Sequence, residues 1–169
     1  MRRRVSRGDA EAFLKAAHAG VVVKGHAGVV RGAPADIDVR AAIFPYADSP
    51  WDGRHYCVED WHVLVAGWSV LIDESHTVQQ AKDELAVTTI QLVLDGTELD
   101  TERTTIRRMP EQPDGVEVEA FYFFQGRIVA PGELSVGTHT LAYTAMSPVD
   151  SDASQSTFII DASGTGVCL

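Results

Sequence analysis

The chain has 169 residues, of which 45% are hydrophobic and 22% are charged. These values are ordinary for a globular protein, and the length suits one sizeable core better than two full domains. The formal net charge is −10, and because an acidic surface repels phosphate, nucleic acid is excluded as an expected partner.

The basic residues are concentrated at the N-terminus. Residues 1–35 hold seven of the 14 basic residues and two of the 24 acidic ones. Three arginines after the first residue resemble the start of a secretory leader, and Ala33-Pro34-Ala35 resembles a cleavage site. No apolar run between them reaches the ~7 to 15 residues of a leader core, so no clear signal peptide is present. No stretch reaches the ~20 apolar residues of a membrane span either.

We therefore divide the chain into a basic appendage over residues 1–35 and a β domain over residues 36–169. The appendage contains a predicted helix that Asp9 caps and that ends near Gly20. A degenerate leader is the alternative interpretation of the same segment.

The first strong elements of the β domain are a strand and a helix. Val63 to Ile72 is almost continuously apolar, which predicts a central strand buried on both faces. Thr77 and Gln80 then form the pattern of a capping box, which predicts a short helix over Thr77 to Leu85.

The second half predicts strands separated by turns. Thr88 to Leu94 alternates and ends at Asp95-Gly96, a pair that favours a tight hairpin with a return strand over Thr97 to Ile106. Proline and glycine predict a loop at Met109 to Gly115 and a type II turn at Pro131-Gly132. The remaining predicted strands and their loop are Val116 to Phe124, Thr138 to Met146, the loop Pro148 to Gln155, and Ser156 to Asp161.

The last of these segments carry a resemblance to a known family. Leu134-x-x-Gly137-Thr138 leads into an alternating strand, and a Ser-Thr-Phe-Ile-Ile-Asp strand follows an acidic loop. This run resembles the closing strands of bacterial and archaeal extracellular immunoglobulin-like domains of the PKD and Big types. The resemblance covers about 30 residues of the C-terminal strands.

The resemblance implies a mainly β fold, an immunoglobulin-like antiparallel β-sandwich with one short inserted helix and the N-terminal helical appendage. It also implies a non-catalytic module, secreted or on the cell surface, with a structural or protein-interaction role. The extracellular resemblance further favours a disulfide between the two cysteines, Cys57 and Cys168. Two separate reduced thiols are the alternative.

A polar segment offers a competing metal site. On an extended chain His55, Cys57 and Glu59 point the same way, and His62 can arrive from a bend. Imidazole, thiolate and carboxylate together suit Zn²⁺, which gives the hypothesis of a metal-dependent enzyme. A disulfide at Cys57 would remove the softest ligand, so the two interpretations compete.

A second alternative is a glycan- or calcium-binding module. Trp51 and Trp61 would stack on a sugar, and Asp150 and Asp152 would supply oxygen ligands for Ca²⁺. Because the sequence lacks Gly-x-Ser-x-Gly, a phosphate loop and His-Glu-x-x-His, we favour the non-catalytic module and expect no catalytic residue or obligatory cofactor. Its partner would be a protein or a glycan.

Overall fold

The structure is a computed structural model that describes residues 42–47, 52–72, 74, 76–108, 119–166 and 168, together with the backbone of residues 23–24 and 29–30. It is mainly β. Two short antiparallel strands, β1 (Val23–Lys24) and β2 (Val29–Val30), pair with each other. The predicted N-terminal helix, the strand residues 116–118 and the loop Met109 to Gly115 lie outside the described residues.

The first large sheet has five strands, in the order β3-β5-β10-β8, with β9 also paired to β10. Its members are β3 (Ala42–Ile43), β5 (His62–Leu71), β8 (Glu102–Arg103), β9 (Arg107–Arg108) and β10 (Ala120–Val129). β5 is the central strand, and Val63 and Val65 on one face are as fully buried as Leu64 and Ala66 on the other. The prediction of a central strand buried on both faces is confirmed.

The second large sheet also has five strands, in the order β4-β12-β11-β6-β7. Its members are β4 (Arg54–Cys57), β6 (Thr89–Leu94), β7 (Thr97–Glu98), β11 (Gly137–Met146) and β12 (Ser151–Asp161). Leu141, Phe158 and Ile160 of this sheet join Leu64 and Phe123 of the first sheet in one hydrophobic core.

Both sheets are mixed, which corrects the expectation of a wholly antiparallel sandwich. β3 pairs with β5 in parallel, and β4 pairs with β12 in parallel. The expectation failed because the two strands that run parallel to their neighbours, β3 and β4, have only 2 and 4 residues and carry little periodic signal.

The predicted helix is present as α1 (Val78–Val87), and both hydrogen bonds of its capping box form between Thr77 and Gln80. Ala81 and Leu85 are buried in the core, whereas Val78 is exposed. α1 packs against β5 and β10, so the helix covers one end of the first sheet.

The predicted return strand after the Asp95-Gly96 turn is divided between the two sheets. β7 pairs with β6 in the second sheet, whereas β8 and β9 pair with β10 in the first. The chain therefore crosses from one sheet to the other near Leu99, whose side chain packs against the core. The predicted loop Pro148 to Gln155 is also shorter than expected, because β12 already begins at Ser151.

The predicted turns are confirmed by their backbone geometry. Asp95 and Gly96 have φ of 49° and 80°, the positive values that their two-residue hairpin requires. Gly132 has φ of 76°, and the Glu133 N–H donates to Ala130 O at 3.1 Å, as in a type II turn. Gly137, before the penultimate strand, has φ of 135°.

No helix in the described part of the chain is long and apolar enough to cross a membrane.

Candidate functional site

The polar segment around β4 contains two residues of the proposed metal set, His55 and Cys57, which differ in exposure. His55 is exposed, and its Nδ1 lies 2.9 Å from Asp161 Oδ2. Cys57 is buried and lies at the end of β4. Since β4 stops at Cys57, the alternation that would align residues 55, 57 and 59 does not continue.

The other two residues of the proposed metal set have partners of their own. Glu59 is exposed and accepts a hydrogen bond from the Ser163 hydroxyl. His62 is buried, and its Nε2–H donates to the Cys57 carbonyl oxygen at 2.9 Å. Nowhere in the described part of the chain do three or more His, Cys, Asp or Glu side chains form a group that could hold a metal ion.

The environment of His62 favours the neutral imidazole. Burial lowers its pKa to about 4, although the hydrogen bond to Cys57 acts in the opposite direction. Its Nδ1 is buried and has no hydrogen-bond partner among the described residues. A proton on Nδ1 would therefore be a buried, unpaired charge.

The two cysteines are brought together. Cys57 and Cys168 form a disulfide with a Cα–Cα distance of 5.0 Å. The Cys168 N–H donates to Thr165 O at 3.0 Å, and the residue is only 1% exposed. The bridge fixes the segment after β12 against the end of β4.

Of the candidate glycan and calcium residues, the structure describes Trp61, Asp150 and Asp152. Trp61 is half-buried, and Trp51 lies outside the described residues. Asp150 accepts from the Ser151 N–H. Asp152 accepts from the Tyr143 hydroxyl and from the Ala153 N–H.

His139 forms a buried polar connection between two turns. Its Nδ1 lies 2.6 Å from Asp95 Oδ2, and its Nε2 lies 2.7 Å from Ser135 O. Burial lowers the pKa of His139, but the hydrogen bonds that its ring donates to the Ser135 carbonyl and the Asp95 carboxylate, together with the charge of Asp95, outweigh burial, so that the pKa is raised. The ring also stacks on Phe158. His139 is thus a satisfied histidine at the edge of the core, as its position in an alternating strand predicts.

Within the described part of the chain, the first sheet carries a pocket of about 190 Å³ that is open to solvent. We name it the aromatic cavity, and its lining residues are Tyr46, Gly67, Trp68, Ser69, Tyr122, Phe123 and Phe124. Sequence reasoning did not assemble this set, because Tyr46, the β5 residues and the β10 residues are far apart in the chain. The available signal was the run of four aromatics from Phe121 to Phe124.

Sequence comparison finds no family model that matches this chain, and no curated protein matches it either.

Proposed function

We propose that this chain is an immunoglobulin-like module, secreted or on the cell surface, with a non-catalytic structural or protein-interaction role. The observation that carries the proposal is the strand order. β3-β5-β10-β8 follows the order of the A-B-E-D sheet of an immunoglobulin-like sandwich, although β3 runs parallel to β5, and β12-β11-β6-β7 follows the order of the G-F-C-C′ sheet. On this assignment β4 is an additional first-strand segment beside β12.

The corner before β11 supports the same assignment. In immunoglobulin-like sandwiches a tyrosine near the start of strand F donates a hydrogen bond to a backbone carbonyl a few residues upstream. His139 lies near the start of β11, and its Nε2–H donates to Ser135 O, four residues upstream. An imidazole thus performs the contact that a tyrosine hydroxyl makes in those domains.

The disulfide supports the location. Disulfides form and persist in oxidising compartments and are rare in reducing ones. The Cys57–Cys168 bridge joins two residues 111 apart in sequence, and the chain between them includes strands of both large sheets. The family resemblance of the C-terminal strands supplies the functional class, since a fold alone does not define a function.

The location is tested with a membrane-impermeant amine reagent on intact cells that produce the tagged chain. We expect the chain to be labelled on intact cells or to be found in the culture medium, and in either case to migrate as the oxidised form. Labelling only after lysis, with both thiols reduced, would overturn an extracellular role. A cytoplasmic protein of the same cells is the control for leakage.

The strand order is tested by NMR on the isotope-labelled oxidised protein. The parallel pair places Tyr56 opposite Ile160, and the antiparallel pair places Leu92 opposite Tyr143. We expect interstrand contacts between the backbone protons of both pairs. A different neighbour for β4 or β6 would refute the immunoglobulin-like order.

A further inference from the structure

The corner before β11 is held in place by one polar contact. We define the β11 corner as residues 134–137, which lead from the preceding turn into β11. Leu134 is buried in the core, whereas Val136 is 56% exposed. Within the described part of the chain, the contact of Ser135 O with His139 Nε2 is the only hydrogen bond made by Ser135 or Val136. The position of the exposed part of the corner therefore depends on His139.

The other ring nitrogen of His139 contacts a different turn. Its Nδ1 lies 2.6 Å from Asp95 Oδ2, in the hairpin turn between β6 and β7. The Asp95 carboxylate also accepts the Thr140 N–H through Oδ1 at 2.8 Å, and the Asp95 N–H donates to Thr140 O at 2.9 Å. Asp95 is thus held against β11 by two hydrogen bonds that do not involve the imidazole.

Both contacts of the ring can form together only with the imidazolium ion. The carbonyl oxygen of Ser135 and the carboxylate oxygen of Asp95 are acceptors, so each needs an N–H from the ring. Neutral imidazole carries one N–H, and its other nitrogen is itself an acceptor. Loss of the proton from His139 therefore leaves one of the two oxygens facing a nitrogen lone pair at hydrogen-bond distance, which is a repulsive contact.

The neutral ring keeps the contact to Asp95. A hydrogen bond to an ionised carboxylate is roughly twice as strong as one to a neutral carbonyl. Asp95 also stays beside the ring through its two hydrogen bonds to Thr140, whereas Ser135 is exposed and has no second hydrogen bond among the described residues. The proton therefore leaves Nε2 for solvent, and the Ser135 carbonyl moves away from the ring.

The corner can move while the core on either side of it stays in place. The His139 ring stacks on Phe158, with centroids 5.3 Å apart, and this contact does not require a charge. Leu134 remains in the core at one end of the corner. At the other end, Gly137 has φ of 135°, and a Cβ there would meet no atom within 4 Å. The movement is thus confined to the two exposed residues between these ends.

Asp95 is the charged group that acts on the His139 ring. Burial lowers the pKa of His139, but its two hydrogen bonds and the charge of Asp95 together raise it above the ordinary value of 6.5. On β12 the ring faces the uncharged Phe158. In the turn before the corner, Glu133 is paired with Arg127 of β10 at 2.5 Å. The change of protonation therefore falls above pH 6.5.

We propose that His139 is a pH-sensitive latch for the β11 corner. The imidazolium ion joins the Asp95 turn to Ser135, and the neutral ring keeps Asp95 and releases Ser135 and Val136. Protonation is thereby coupled to the position of an exposed apolar side chain, that of Val136. The latch does not depend on the immunoglobulin-like strand order, which is measured separately, so its failure would leave the proposed function standing.

NMR of the ¹⁵N-labelled, oxidised full chain from pH 6 to pH 9 tests the latch. The ring ¹⁵N signals of His139 report which nitrogen carries a proton, and we expect both to do so at pH 6 and Nδ1 alone above the midpoint. ¹⁵N relaxation should show that Ser135 and Val136 become more mobile across the same midpoint, whereas Thr140 stays rigid. A neutral ring protonated at Nε2, or unchanged mobility of Ser135 and Val136, would overturn the proposal.

Asp95→Asn tests the part played by the carboxylate. The variant keeps an oxygen for the Thr140 N–H and suits the φ of 49° at this position, because asparagine tolerates the left-handed region. Without the negative charge, His139 should bind its proton at least about ten-fold more weakly. The corner should then be released at a correspondingly lower pH. A release at the same pH as in the parent would contradict the latch.

His139→Gln removes the titrating group and keeps one side-chain donor, so the mobility of Ser135 and Val136 should no longer depend on pH. His76→Gln is the matched control, because His76 also lies beside a carboxylate, that of Glu84 in α1, at 3.4 Å. It should leave the pH response of the corner unchanged. A response that persists in His139→Gln, or that is lost in His76→Gln, would show that another group controls the corner.

Discussion

Two buried histidines have opposite roles in the same sandwich. His62 is 2% exposed, with one ring nitrogen bonded and the other unpartnered among the described residues. His139 has an acceptor at each ring nitrogen, the Asp95 carboxylate and the Ser135 carbonyl. The first site excludes the imidazolium ion and the second stabilises it, so the pKa of His62 is lowered and the pKa of His139 is raised.

His62 predicts a loss of stability in mild acid. Its folded pKa of about 4 lies below the ordinary value of 6.5, so the unfolded chain takes up a proton first as the pH falls. Stability is therefore full above about pH 6.5, and it falls by about 3 kcal/mol on approach to pH 4. Denaturant unfolding between pH 7 and pH 4 measures this change.

His62→Gln is the control for the acid effect, because it lacks a group that titrates in this range and retains a side-chain donor. It should be less stable at pH 7 and should lose the pH dependence between 6.5 and 4. His139 does not interfere, since a raised pKa gives stability that is complete below pH 6.5 and is lost at higher pH. An equally steep acid loss in the variant would show that other groups cause it.

At the residue scale, sequence reasoning succeeded where the strand period was clear. His139 shares an alternating strand with Leu141 and Tyr143, and this predicts a satisfied histidine at the edge of the core. His62 was expected as a metal ligand, because the sequence does not show that β4 ends at Cys57 or that the imidazole turns back to the Cys57 carbonyl. Such a contact depends on the bend at residues 58–61.

The strands of the sandwich are joined by turns that require particular backbone dihedral angles. Gly137 begins β11 with φ of 135°, a conformation that residues with a branched Cβ adopt only with strain. A Cβ at this position would meet no atom within 4 Å. A substitution there therefore tests the backbone alone.

Gly137→Val should lower the free energy of unfolding by about 1 to 3 kcal/mol through backbone strain. Ser135→Ala is the control, because it leaves the carbonyl that accepts from His139 in place and should change stability by less than about 0.5 kcal/mol. Chemical denaturation of both variants beside the parent measures the difference. If the Gly137→Val protein were as stable as the parent, a side chain at this position would cause no backbone strain.

A sheet residue caps the C-terminus of α1. The last turn of the helix contains no basic residue. Arg103 of β8 instead donates to Thr88 O at 2.6 Å and to Leu85 O, with its guanidinium 3.6 Å from the centre of the Phe123 ring. One side chain of the first sheet thus connects the helix end to the Phe123 ring.

Arg103→Leu should destabilise the protein by about 2 kcal/mol, because it removes charged hydrogen bonds to helix carbonyls and a cation–π contact. Arg103→Lys retains the charge but loses the two-pronged geometry, so we expect it to recover only part of this loss. Arg107→Leu, on the exposed β9, is the matched control for charge. Equal stability of the Arg103 and Arg107 variants would contradict the capping role.

At the element scale, the capping box and the Asp-Gly turn were predictable because each is a local pattern with its own hydrogen bonds. The division of Thr97 to Ile106 between two sheets was not predictable from the same kind of signal. Its threonines and charged residues suit either sheet, and the choice depends on Leu99 and Arg103 finding partners distant in sequence. The aromatic cavity could not be predicted either, because its lining residues are also distant from one another in sequence.

The disulfide encloses most of the molecule in one covalent loop. The segment between Cys57 and Cys168 contains α1 and eight of the strands, β5 to β12. β4, which ends at Cys57, is held beside β12 by the parallel pair. Unfolding of the oxidised protein therefore leaves a closed loop rather than a free chain, which restricts the unfolded ensemble.

The whole-molecule prediction is that removing the bridge destabilises the fold without changing its strand order. In the chain-entropy model a loop of about this size contributes roughly 4 to 5 kcal/mol, so Cys57→Ala/Cys168→Ala should melt roughly 10 °C below the oxidised parent. Each single variant should lose nearly as much as the double variant, because either change alone opens the loop. Alkylation followed by measurement of the intact mass should detect no reactive thiol in the native parent and two thiols after reduction and unfolding. Two freely labelled thiols in the native, never-reduced protein would rule the bridge out.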